Sequence, residues 1–433
     1  MEEKSNEVKQ KFNRFLRIMG PGLITGAADN DPSGIATYSQ TGAQFGYGLL
    51  WMALFMLPFM TAVQETCARI GMVTGKGLVA VIKEYYSKKI MYAVVFLVLV
   101  ANTINIGADI GAMAAAANLL IPLPFVFLTL FFTAFILTLE VFVPYHVYAS
   151  ILKFFVLALL VYPITVFIIH EPWLTILKGA FIPHIEFSFA FLFIVIGVLG
   201  TTISPFMFFW EASEEVEEEK EEHIKKVRGK PRINWGHIRT MRLDNTVGMI
   251  VSEIATWCII LTTATALHSH GITTINTSAD AAKALEPLVQ SFPNAGYIAK
   301  LLFSIGIIGL GLLAVPVLAG SASYAVSEAL NWREGLNLKL KEARGFYGII
   351  AIATLIGLLI NFVGIDPVKA LVYSAVFNGV AAVPLLFLIA RIARNEKIMG
   401  EYKSGILSQV MIWMTFFAMG VAAIAMFVTI GRK

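Results

Sequence analysis

The stretch Gly26-Ala27-Ala28-Asp29-Asn30-Asp31-Pro32-Ser33-Gly34 constrains this chain more than any other. It interrupts the first apolar segment, residues 16–45. A membrane-spanning helix needs roughly 20 predominantly apolar residues. A carboxylate at its centre costs about 2.5–3.5 kcal/mol on insertion scales. Pro32 has no amide hydrogen and disfavours helix at Asp31, so the helix is expected to unwind there. Unwound backbone at membrane depth survives only inside protein or beside a water-filled cavity. A carboxylate on broken intramembrane backbone is therefore a cation-site hypothesis. Asp31 can also cap the second half-helix, and one residue can both cap and bind an ion.

Of 433 residues, 57% are hydrophobic and only 14% are charged, with a mean hydropathy of +0.74. That composition specifies a polytopic membrane protein. Cys67 and Cys258 both lie in apolar segments and provide neither a disulfide framework nor a Cys-x-x-Cys motif. The charged tail leads into a long, polar-interrupted segment unlike a short cleavable signal, so no processing is expected. Spans are predicted at 16–45, 48–73, 90–120, 124–143, 147–169, 187–210, 245–267, 298–320, 346–364, 368–391 and 406–430. Lys and Arg concentrate in the tail with Arg17, in 74–89, 211–244 and 332–345, and in 392–405 with the adjoining Arg391. By the positive-inside rule the N-terminus is expected in the cytoplasm and the C-terminus outside. A multi-pass protein of the cell membrane (plasma or inner) is the expected localisation.

The sixth span carries a second break, Gly200-Thr201-Thr202-Ile203-Ser204-Pro205-Phe206. Paired interruptions in corresponding positions of two halves are the layout of an inverted five-plus-five repeat transporter, with its substrate site between the two broken helices. The expected organisation is a tail, 1–15; a first five-helix repeat, 16–169; a second, inverted repeat, 187–391, including the charged linker 211–244; and an eleventh helix with a short C-terminus, 406–433. The expected first ligands are Asp31, a backbone carbonyl near Ala28, the hydroxyls of Thr201 and Ser204, and water. Asp29 can add a second carboxylate at longer range. Oxygen donors with one carboxylate suit a hard cation, Mg²⁺ or Mn²⁺, and Mg²⁺ keeps several waters.

Other polar residues in the spans have plainer readings beside functional ones. Asn102, Asn105 and Asp109 share a face of the third span, for helix–helix hydrogen bonds or for ion or proton movement. Asn378 and Thr202 are candidates for the pathway or the surroundings of the site, and helix packing explains Asn378 equally well. Glu65 and Arg69, four apart, are expected to pair near the cytoplasmic end. Glu140 and Lys153 are explained by snorkelling or mutual pairing. The acidic run from Glu211 to Glu222 and the basic run after it are expected to form a solvated helix extension and linker. His268 and His270 are expected at the surface of a loop that holds a short helix near Ser278–Val289. No phosphate-cradling loop, nucleophile triad or His-rich motif is present, so enzymes and nucleotide-driven pumps are set aside, and no cofactor is expected beyond the cation as substrate. Nothing calls for nucleic acid or an obligatory protein partner; the lipid bilayer is the expected surroundings.

At both breaks the sequence resembles the Nramp family of divalent metal transporters, over nearly the whole chain. Asp31-Pro32-Ser33-Gly34 falls where that family carries Asp-Pro-Gly-Asn, and Ser204-Pro205-Phe206 where it carries Met-Pro-His. Gly20-Pro21-Gly22 matches the family's lead-in to the first span. The resemblance implies an all-α, LeuT-type fold of two inverted five-helix repeats, with the first and sixth helices discontinuous. It implies Asp31 as metal-binding carboxylate, and Ala28 and Thr201 as carbonyl donors. Gly34 stands in place of a ligand asparagine, Ser204 of a methionine whose sulfur favours transition metals, and Phe206 of a histidine linked to proton movement. Asp109 aligns with a family acid, whereas Ile106 falls where another is usual. Together these departures resemble the Nramp-related magnesium transporter branch. The expectation is alternating-access import of Mg²⁺ and Mn²⁺ with weak or no proton coupling. The alternatives are a proton-coupled Mn²⁺/Fe²⁺ importer of ordinary Nramp type and, more distantly, a Na⁺-coupled organic-solute symporter of the same fold.

Overall fold

Pro32 opens a helix, as its fixed φ and missing amide favour. In the computed structural model, α1 (Pro32–Phe45) begins at that proline, Asp31 is extended (φ −60°, ψ 171°), and Thr25, Gly26, Ala28 and Asp29 before it are helical. The first span is therefore broken at Asn30 and Asp31. The structure describes residues 25–26, 28–143, 159–168, 173–221, 224, 226–227, 230–290 and 292–430. The tail 1–15, the Gly20-Pro21-Gly22 lead-in, Lys153 and most of the predicted span 147–169 lie outside the described residues.

The chain continues through α2 (Leu50–Thr74), α3 (Leu78–Tyr85), α4 (Lys88–Asn118), α5 (Phe125–Phe142), α6 (Val161–Ile168) and α7 (Trp173–Phe181). Then comes the second broken pair, α8 (Phe189–Thr202) and α9 (Pro205–Glu221). It is followed by α10 (Trp235–Ala266), the short α11 (Ser278–Lys283) and α12 (Glu286–Val289), and α13 (Ala295–Leu330). The last elements are α14 (Arg344–Ile360), α15 (Pro367–Arg394), the short α16 (Glu396–Met399) and α17 (Ile406–Thr429). The protein is all-α apart from a minimal antiparallel pairing of Lys226–Val227 with Lys230–Pro231. Eight of its helical segments, among the described residues, are long and apolar enough to cross a membrane.

The two broken pairs are packed into the centre. Residues before α1, and α1 itself, lie on α10, while α8 crosses α15, α9 lies along α2, and α4 packs against α13, α14 and α15. Close backbone approach sets the α8–α15 crossing. A Cβ on Gly200 would stand 2.1 Å from the Ala375 carbonyl oxygen and 2.2 Å from the Gly379 amide nitrogen. Small residues let membrane helices approach in this way, where lipid supplies no hydrophobic drive.

Three expectations need correction. The seventh helix starts at Trp235, not at 245, because Asn234 caps it with His237 in a reciprocal capping box; its first turns are polar, so hydropathy misses them. The loop after it holds two short helices rather than one, the second opening at Glu286-Pro287. The acidic run is not a solvated extension. Glu211, Glu214, Glu215, Glu217 and Glu219 are all buried, because α9 runs between α2 and α13. Near that end Arg69 pairs with Glu65 at 2.6 Å, as the four-residue spacing predicts, and Arg242 of α10 pairs with the same carboxylate at 2.7 Å.

Candidate metal site

Asp31 is held from two sides. Its Oδ1 accepts the Gly34 amide at 2.6 Å, capping α1, and its Oδ2 accepts the Asn105 side-chain amide of α4 at 2.8 Å. The carboxylate thus caps the second half-helix, as the sequence allows, and is braced from α4 as well. Asn105 is oriented in turn by Ser374 of α15, whose hydroxyl donates to Asn105 Oδ1 at 2.8 Å. One turn further along α4, Asp109 lies beside the Ser33 backbone and in the field of Asp31. Asn102, the third polar residue on that face, instead donates to the Leu318 carbonyl at 2.9 Å and joins α4 to α13. The shared face is real, and it divides by role: Asn102 packs helices, while Asn105 and Asp109 approach the break.

The second break faces the first. Thr201 Oγ1 would be 3.2 Å from a Cβ built on Gly34, and the Asp29 carbonyl oxygen 3.0 Å, so residue 34 has little room for any side chain. Pro205 has no amide to give the Thr201 carbonyl, which leaves that oxygen outside the helical ladder. Ser204 donates its hydroxyl to the Gly200 carbonyl at 2.6 Å and keeps its lone pairs for another partner. Thr202 hydrogen-bonds the Tyr38 hydroxyl at 2.8 Å, which places it behind α1 and off the Asp31 side. Asn378 sits at the α8–α15 crossing, buried, and its Nδ2 has no hydrogen-bond partner among the described residues.

Asp29 departs most from expectation. Ser252 of α10 donates to its Oδ2, so the side chain turns toward α10, whereas Asp31 turns toward α4. Asp29 lies at the end of the first half-helix and Asp31 caps the second, and their side chains go to different neighbours. Ala28, Asp31, Thr201 and Ser204 are each at most 2% exposed, so the site is closed to solvent. Among the described residues no three His, Cys, Asp or Glu side chains converge. An ion here has to draw on one carboxylate together with carbonyl, hydroxyl and water oxygens. That donor set is hard, and it contains no imidazole.

Sequence reasoning missed Ser374, Ser252, Glu253 and Tyr38. Ser374 lies four residues before Asn378 on one helix face, a spacing that was readable. Glu253 is an ionisable residue inside the seventh apolar span, and that alone marks it.

Comparison with known proteins bears on the whole arrangement. The family model "Natural resistance-associated macrophage protein-like" (Nramp) matches residues 22–429. A divalent metal cation transporter (MntH) of Caldanaerobacter subterraneus subsp. tengcongensis is 26% identical over 411 residues, covering 93% of this chain and 90% of the relative. Among solved structures, the Eremococcus coleocola manganese transporter superposes with a TM-score of 0.73 at 15% identity, over 97% of this chain and 87% of that one. MhsT, solved with L-phenylalanine, superposes with a TM-score of 0.61 at 11% identity, over 94% of this chain and 98% of that one. The last two likenesses show the fold alone.

Proposed function

This chain belongs to the Nramp family, and from that premise we propose that it moves hard divalent cations, Mg²⁺ and Mn²⁺, across the membrane through the Asp31 site. It is a multi-pass divalent metal cation transporter and not an enzyme. The Eremococcus coleocola structure of the same fold is named a manganese transporter, and Mn²⁺ is proposed for this chain on its hard-donor set. The further preference for Mg²⁺ rests on one observation. Asp31 is the carboxylate held at the break by Gly34 and Asn105, and on the second break Ser204 offers a hydroxyl where a thioether would favour softer ions.

The proposed ligands are Asp31, the backbone carbonyls of Ala28 and Thr201, and the Ser204 hydroxyl, with Asn105 and Ser374 fixing the carboxylate. Gly34 supplies no side-chain donor. Phe206 lies where a histidine would offer a proton carrier, and this supports transport with weak or no proton coupling. Two inverted repeats, 16–169 and 187–391, rocking about the broken helices, account for alternating access. The Lys and Arg bias supports a cytoplasmic N-terminus and an outside C-terminus.

The test is Asp31→Asn, which retains the size of the side chain and removes the charge. Uptake of Mn²⁺ and Mg²⁺ into proteoliposomes should fall by about 100-fold or more, as expected when one charged ligand worth roughly 3 kcal/mol is lost. Wild-type flux in a well-folded Asp31→Asn protein would contradict the assignment.

A further inference from the structure

On the opposite face of the first break, Asp29 and Glu253 bring two carboxylates together inside the membrane-spanning core. Asp29 is 1% exposed and Glu253 4%. The two carboxyl groups lie within each other's field, and both act on the buried phenol of Tyr38. Ser252 joins them to the break: its hydroxyl donates to Asp29 Oδ2 and receives the Asn30 side-chain amide at 2.8 Å. Thr256, one turn beyond Ser252, points its hydroxyl at Asn30 Oδ1 from 3.5 Å.

What this cluster lacks is a counter-charge. Among the described residues neither acid has an ion-pair partner. Both oxygens of Glu253, and Oδ1 of Asp29, are buried without any hydrogen-bond partner among those residues. Buried carboxylates need compensation, and inside a membrane the need is greater. Three unpartnered carboxylate oxygens, with hydroxyls and a carboxamide oxygen beside them, form an all-oxygen donor set. Such donors suit a hard cation, and two formal negative charges match a divalent one.

We propose that Asp29 and Glu253, with the oxygens of Ser252, Asn30 and Thr256, form a second site for a hard divalent cation between the first broken helix and α10, separate from the Asp31 site. Its ion ties the first break to α10, while the ion at Asp31 ties the first break to the second. The second site stands on its own observations and does not depend on which metal the Asp31 site prefers.

The experiment is equilibrium dialysis of the purified full-length protein against Mn²⁺, at fixed pH, with folding followed by size exclusion. Wild type should bind about two Mn²⁺ per chain, and Glu253→Gln and Asp31→Asn about one each, because each removes a different carboxylate ligand. A single Mn²⁺ per wild-type chain that Asp31→Asn abolishes, or that a folded Glu253→Gln protein retains, overturns the second site. Undiminished binding in a folded Glu253→Gln protein overturns it as well. If Asp31→Asn alone leaves the count unchanged, the Asp31 reading fails and the second site stands. Thr256→Val removes a neutral ligand and should weaken the second class of binding by about 10-fold, roughly 1.4 kcal/mol, with the first class unaffected.

Discussion

At Asp31 one carboxylate oxygen caps α1 and the other receives Asn105, so the choice of substitution decides what an experiment reports. Asp31→Ala removes a cap and strands a buried amide as well as a ligand. It should lower stability by about 1–3 kcal/mol, visible as a reduced Tm, whereas Asp31→Asn keeps one acceptor oxygen for the Gly34 cap and should lower Tm less. Ser204→Met places a thioether at the second break and should raise Cd²⁺ affinity by about 10-fold, measured by calorimetry, since soft donors select soft ions. Unchanged Cd²⁺ binding would show that residue 204 does not face the ion. Gly34→Asn tests the first break. Its Cβ would meet the Asp29 carbonyl at 3.0 Å and the Thr201 hydroxyl at 3.2 Å, so those groups must give way. The expected outcome is weaker Mg²⁺ binding by calorimetry, because the added side chain displaces water that the ion retains. Asp31, Thr201 and Ser204 were legible as site candidates because proline and charge in an apolar run are costly and therefore informative. The turn of Asp29 toward Ser252 was not legible, since it depends on which helix packs beside the break rather than on residue type.

The elements themselves were readable from hydropathy wherever a helix is apolar throughout. They were misjudged where polar turns extend a helix past the bilayer, as at Trp235 in α10. The acidic half of α9 shows the same blindness in another form. Its glutamates read as solvent-facing by charge, yet α2 and α13 enclose them, and Glu211 is held by Thr25 and by Asn245 at 3.0 Å. Where backbones cross, glycine is the whole signal. Gly200→Ala puts a methyl 2.1 Å from the Ala375 carbonyl oxygen, and that backbone can yield only if α8 and α15 separate. The expected cost is about 1–3 kcal/mol or more, read as a lower Tm in detergent. A neutral result would mean that α8 and α15 are not so closely packed in solution.

Across the whole molecule, the proposed Asp31 ligands are closed to solvent, so transport requires the packed elements around the break to part on one side and then the other. The segment after α13 carries a pH response of its own. Burial, followed by the negative field of Glu328, pushes Glu334 up to about 9. An unfolded glutamate titrates near 4.3, so between these two values the folded chain keeps a proton that the unfolded chain has released. This contribution is complete below the unfolded value and is lost as pH rises toward the folded one. Tm should therefore decline from about pH 6 to about pH 9, and Glu334→Gln should flatten that decline. The central claim, hard divalent transport through Asp31, is tested most directly in proteoliposomes offered Mg²⁺, Mn²⁺, Ca²⁺ and Cd²⁺ while lumenal pH is followed. The account predicts saturable Mg²⁺ and Mn²⁺ flux without acidification. Mn²⁺ and Cd²⁺ flux accompanied by protons, with no Mg²⁺ flux, would contradict it.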